Sequence, residues 1–173
     1  MTGPIDRRRS RLRNSVTAAG RQRQKDRARH LCRSHAGPLL TMATLMLNDT
    51  DTACDVVADS IAAACRPGQD IDPLSDHVRA DLAASVYRRC LGVLASRERF
   101  TWRPNRPAGA MPFARLNANQ RAAIALTLFG GHNLTQAATT MNQSEVTILD
   151  QLADFLGTFT GRAAATRRAE VSA

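Results

Sequence analysis

The stretch that decides the fold runs from Leu116 to Phe159, LNANQRAAIALTLFGGHNLTQAATTMNQSEVTILDQLADFLGTF. Asn133 stands before Leu134-Thr135-Gln136, a polar cap followed by Gln at the third helical position, close to a capping box. Ala137, Ala138 and Met141 supply a small apolar face, and Asn142-Gln143 reads as a turn. Ser144 can cap a following helix whose inward stripe is Ile148, Leu152 and Phe155 or Leu156. Two short helices joined by a tight turn make a helix-turn-helix, whose second helix is the one usually laid in the major groove of DNA. A further helix, about Ala118 to Phe129, precedes the pair and is ended by Gly130-Gly131.

The 173 residues are 43% hydrophobic and only 4% aromatic, so aliphatic and Ala packing must carry the core. Ala-Leu periodicity without β-branched alternation predicts an all-α protein of two small helical domains joined by a Pro-rich linker. The first domain spans 25–99, the linker 100–115, the second domain 116–160, and 161–173 reads as a flexible tail. Within 25–99 a helix is expected from about Lys25 to Leu47, with Leu31, Leu39, Leu40, Ala43, Met46 and Leu47 inward and a kink or restart at Gly37-Pro38. A second, Thr52 to Cys65, turns Val56, Val57, Ile61 and Ala64 inward and leaves Asp55 and Asp59 on one outer face. A third, capped by Ser75 or Asp76 and reaching Arg99, offers Val78, Leu82, Val86, Leu91 and Leu94.

The formal charge of +9 is unevenly placed. Residues 1–29 hold ten of the 24 basic residues against Asp6 and Asp26, a net +8, which leaves the rest of the chain at +1. Residues 1–24 therefore read as a disordered basic arm, with Arg7, Arg8, Arg9, Arg11 and Arg13 as non-specific phosphate contacts. A solubilising tail has the same composition. The four cysteines include no CxxC pair, so buried free thiols in a reducing, cytoplasmic setting are expected. No metal site or cofactor is expected, since a Cys32/His35 pair has no partner pair at ligand spacing. No 18-residue apolar run predicts a membrane span. Without a phosphate-cradling Gly loop, HExxH, or nucleophile with an identifiable base, the chain does not read as an enzyme.

Over roughly residues 25–160 the pattern resembles a small alternative sigma factor of the extracytoplasmic-function type, from the sigma-70 family. Leu116-Asn-Ala-Asn-Gln-Arg121, Ala125-Leu126 and Phe129-Gly130-Gly131 are similar to that family's entry helix, and Ala137-Ala138 with Met141 to Ile148 to its turn. Asp55-Val56-Val57-Ala58-Asp59 is similar to its acidic polymerase-docking segment. The resemblance implies a transcription initiation factor that binds core RNA polymerase through the β′ and β subunits and directs it to promoter DNA. Asp55, Val56 and Asp59 would then hold polymerase, with Arg88 and Arg89 on promoter phosphates. Ser144, Glu145 and Thr147 would lie nearest the bases, with Gln136 a further DNA-binding position. An anti-sigma factor is a further partner of the kind the resemblance implies. The chain departs from the family at the second helix of the motif, where 144–160 contains no Lys or Arg and carries Glu145, Asp150 and Asp154. The aromatic run expected after Asp59 is replaced by Ser60-Ile61-Ala62-Ala63-Ala64-Cys65. The alternative reading is a degenerate relative that binds RNA polymerase or another protein without promoter readout.

Overall fold

The computed structural model describes residues 4–66, 75, 77–99 and 116–157, and the side chains of all of these except 4–19, 98 and 99. The chain is all-α, and the described residues contain no strand. Helix α1 spans Pro4–Leu47, α2 Thr50–Ala64 and α3 Val78–Arg99; α4 (Ala118–Ile124) continues into a wider π-type segment, Ala125–Phe129; α5 is Leu134–Met141 and α6 covers 145–157. The basic stretch expected as a separate arm is, from Pro4 on, part of the same helix as the core-forming turns of α1. The linker over 100–115 and the tail over 161–173 lie outside the described residues.

Pro38 sits inside α1, which runs on through it. The ring removes one backbone donor, and one turn later the Thr41 hydroxyl donates to the Gly37 carbonyl at 3.1 Å. Leu39, Met42 and Ala43 come immediately after and are fully buried, so packing of this turn offsets the lost hydrogen bond. The helix ends at Asn48, in the left-handed region at φ 52°, where its N–H donates to the Thr44 carbonyl at 2.8 Å.

Helix α2 turns Val56, Val57, Ile61 and Ala64 inward, as its periodicity predicts, and adds Ala53 and Ser60 to the buried face. The Ser60 hydroxyl is satisfied within the helix, donating to the Val56 carbonyl at 2.8 Å. In α3 the inward arc is Val78, Leu82, Ala83, Val86, Tyr87 and Cys90. Leu91, expected in that core, is instead 44% exposed, because at about 100° per residue it falls about 40° beyond Tyr87, which marks the edge of the inward arc. The expectation of buried thiols holds for Cys65 and Cys90 but not for Cys32 and Cys54, which are exposed on the outer sides of α1 and α2.

The helices predicted as two units bury their side chains in one continuous cluster. Leu31, Leu39, Met42 and Ala43 of α1 join Val57, Ile61, Leu82 and Val86, and the same cluster contains Ala123, Leu126, Ala137, Met141 and Ile148. Leu45 and Leu152 also pack against a smaller group, Leu116, Ile124 and Phe155, and so connect the two groups. Of the two alternatives left at the end of α6, Phe155 is buried at 8% and Leu156 is 61% exposed.

The π-type segment sets how the 116–157 helices meet the first three. The Gly130 N–H reaches back five residues to the Ala125 carbonyl at 2.9 Å, and the His132 N–H takes the Leu126 carbonyl at 3.1 Å. Insertions of this kind widen a helix by one residue and redirect the chain on its C-terminal side. Gly130 is fixed by contact: a Cβ there would lie 2.6 Å from the Leu126 carbonyl oxygen and 3.0 Å from the Ala83 Cβ of α3. Gly131 is fixed by conformation, at φ +73°.

Candidate protein and nucleic-acid interfaces

Two surfaces carry the residues singled out by sequence. On the first, α2 and α3 run side by side and leave an open groove of about 730 Å³. Val56, Gly92 and Val93 line it, and an ion pair marks either end. At one end Arg97 Nη2 lies 2.6 Å from Asp49 Oδ2. At the other Arg89 Nη1 lies 3.4 Å from Asp59 Oδ2, with side chains 38% and 73% exposed.

The first pair is structural. Asp49 is the N-cap of α2, accepting the Thr52 N–H at 3.2 Å and the Thr52 hydroxyl at 2.7 Å. Those hydrogen bonds, helped by the Arg97 guanidinium, hold its carboxyl below the usual carboxylate range. The second pair is a wet rim contact, worth at most a few tenths to one kcal/mol on typical measurements. Asp55 and Asp59 are both exposed one turn apart, while Val56 between them is only 7% exposed. The structure therefore brings Asp59, expected on polymerase, against Arg89, expected on promoter phosphates; Arg88 is exposed beside them.

The second surface is α5, the turn and α6. Asn133 accepts the Gln136 N–H at 2.8 Å and the Gln136 side-chain oxygen accepts the Asn133 N–H at 2.9 Å, a complete capping box. Asn117 and Gln120 build the same box at the start of α4. Asn142 takes the left-handed conformation (φ 53°, ψ 47°), and Gln143 N–H donates to the Ala138 carbonyl at 2.9 Å, with Asn142 N–H to Thr139 at 3.3 Å. This is a Schellman closure with Asn in the place Gly most often takes. Ser144 Oγ accepts the Thr147 N–H at 3.1 Å and lies 2.8 Å from the Thr147 hydroxyl. Gln151 Nε2 donates to the Gln143 side-chain oxygen at 3.0 Å, tying α6 back to the turn.

Three of the four positions of this element expected on DNA thus serve as helix caps, Gln136 at the start of α5 and Ser144 with Thr147 at the start of α6. Gln136, Ser144 and Thr147 spend hydrogen-bonding capacity on caps, and the fourth, Glu145, is an exposed carboxylate. Sequence reading missed what covers the rest of the outward face of α6: Val146, Leu149 and Leu156 are 66%, 48% and 61% exposed. The signal was present in the spacing, since residues 146, 149, 153 and 156 share one side of a helix. The arm residues Arg7, Arg8, Arg9, Arg11 and Arg13 precede the described side chains.

Two histidines sit at the junction of the helices. His132 is 7% exposed, and burial lowers its pKa against the opposing pull of the Gly130 backbone and Asp81. His35 on α1 is lowered by burial, then by the charges of Arg79 and His30. Among the described residues no group of three or more His, Cys, Asp or Glu side chains could hold a metal ion. No family model, curated protein or solved structure matches this chain.

Proposed function

We propose that the chain is a sigma-like regulator that binds core RNA polymerase through the α2 face and does not read promoter sequence with α6. The observation that carries this reading is the contrast between the two surfaces. Asp55 and Asp59 are solvent-facing carboxylates flanking a near-buried Val56 at the edge of an apolar-floored groove, a surface suited to a basic-rimmed helical partner. By contrast, α6 carries no cation between 144 and 160, and phosphate attraction normally dominates protein–DNA affinity. Nucleic-acid affinity then belongs to the Arg-rich start of α1, is not sequence-selective and weakens with salt. No described helix is long and apolar enough to cross a membrane, and a cytoplasmic location accompanies the proposal.

Promoter-directed initiation is the second reading, favoured by the doubly capped α5–turn–α6 element, whose shape suits a major groove. Co-migration with purified core RNA polymerase tests the first. Binding is expected from the wild type and lost in Asp55→Lys with Asp59→Lys, while Ser144→Ala and Glu145→Ala leave both binding and DNA mobility shifts unchanged. Sequence-selective DNA binding by the polymerase complex that disappears in the Ser144 and Glu145 variants would establish the second reading instead.

A further inference from the structure

We infer that the outward face of α6 is a self-association surface that receives the Arg-rich first turns of α1 from a second copy of the chain. A surface helix on a monomer ordinarily has one apolar side. Helix α6 has two. Ile148 and Phe155 face the core at 0% and 8% exposure, while Val146 and Leu149 face solvent at 66% and 48%. Ala153 and Leu156 continue that outer stripe. Its rim is wholly acidic: at about 100° per residue, Glu145 falls along one edge and Asp150 and Asp154 along the other. Such a face repels phosphate and suits an apolar stripe flanked by cations.

The chain carries that complement itself. Residues 4–19 set Ile5, Leu12 and Val16 among Arg7, Arg8, Arg9, Arg11 and Arg13, with Asp6 the one acid. The exposures along α1 favour delivery to another molecule: residues 20–26 are all exposed, and among the described side chains the first buried one is Leu31. Residues 4–19 of the helix correspond to about 24 Å and the stripe from 146 to 156 to about 15 Å, so one covers the other. Reciprocal exchange about a two-fold axis closes the assembly as a dimer.

Sedimentation velocity of the full chain across about 1 to 100 µM, at about 0.05 M and 0.5 M salt, tests this with a charge-swapped pair. The wild type is expected to form a dimer at low salt that dissociates at high salt. Glu145→Lys/Asp150→Lys/Asp154→Lys and Arg8→Glu/Arg9→Glu/Arg13→Glu are each expected to be monomeric, and their mixture is expected to dimerise. If a charge variant loses its helical circular dichroism, Val146→Gln with Leu149→Gln replaces it and should be monomeric and helical. A wild type that stays monomeric, an α6 variant that still dimerises, or a mixture that fails to pair overturns the proposal. The last result would indicate that α6 meets some surface other than the arm.

Discussion

Arg97 Nη2 lies 2.6 Å from Asp49 Oδ2, and the same guanidinium donates to the Leu47 carbonyl at 3.1 Å and the Thr52 hydroxyl at 3.0 Å. One side chain of α3 thereby satisfies the C-terminal end of α1 and braces the cap of α2, where a cation also suits the α1 dipole. Asp49→Asn keeps a capping oxygen and loses the charge; Asp49→Ala loses both. Thermal denaturation should show Asp49→Ala costing about 1 to 2 kcal/mol and Asp49→Asn clearly less. Because the Asp49 carboxyl is held below its ordinary value, its contribution is complete above that value and is lost as the pH falls through the lowered one.

The two histidines give a second pH dependence at milder acidity. Burial lowers both His132 and His35, so the unfolded chain takes up protons at a higher pH than the folded one. Stability is therefore expected to fall as pH drops through the ordinary histidine range near 6.5. His132→Asn or His35→Gln should flatten the dependence of Tm on pH between about 7.5 and 5.5, and an unchanged slope in the double variant would refute this.

Two glycines should respond to the same substitution with opposite sign. Gly130→Ala forces a Cβ against the Leu126 carbonyl and Ala83, and should cost about 1 to 3 kcal/mol. Gly92 lies within α3 with nothing within 4 Å of its position, so Gly92→Ala should stabilise by about 0.5 to 1 kcal/mol. Chemical denaturation midpoints with an unchanged slope check both.

The thiols should divide into two classes. Cys32 and Cys54 are exposed, whereas Cys65 and Cys90 are buried, with burial pushing the Cys65 thiol up and the Cys90 thiol to about 12. A thiol-specific reagent at neutral pH should label two cysteines promptly and the other two only under denaturing conditions.

What could be read ahead of the structure was local. The Asn133 box, the Asn142 turn and the Ser144 cap involve residues three or four apart, so their identities nearly determine their geometry. The inward stripes of α1 and α2 came from helical period for the same reason. Leu91 and the exposed Cys32 and Cys54 were not legible, because their burial depends on which part of each helix surface meets its neighbours. The single cluster joining α1 to Leu126 and Ile148 was hidden for the same reason, since no spacing rule relates residues separated by more than eighty positions. At the candidate sites the residue types were readable but their engagements were not. Gln136, Ser144 and Thr147 have chemistry that suits a base edge equally well, and only the geometry commits them to capping.

Helix α1 lends Leu39, Met42 and Ala43 to the cluster that also encloses Leu126, Ala137 and Ile148. The largest buried cluster is shared by both groups of helices, so each loses part of its lining when the other departs. Melting should accordingly be cooperative, with one calorimetric peak whose van't Hoff and calorimetric enthalpies agree. A fragment cut after Arg99 would leave a greasy flank on α1 and be prone to aggregate. Long-range cooperativity here is carried by the C-terminal half of one rod, and damage between Leu31 and Leu47 on its inner side is felt by both groups of helices.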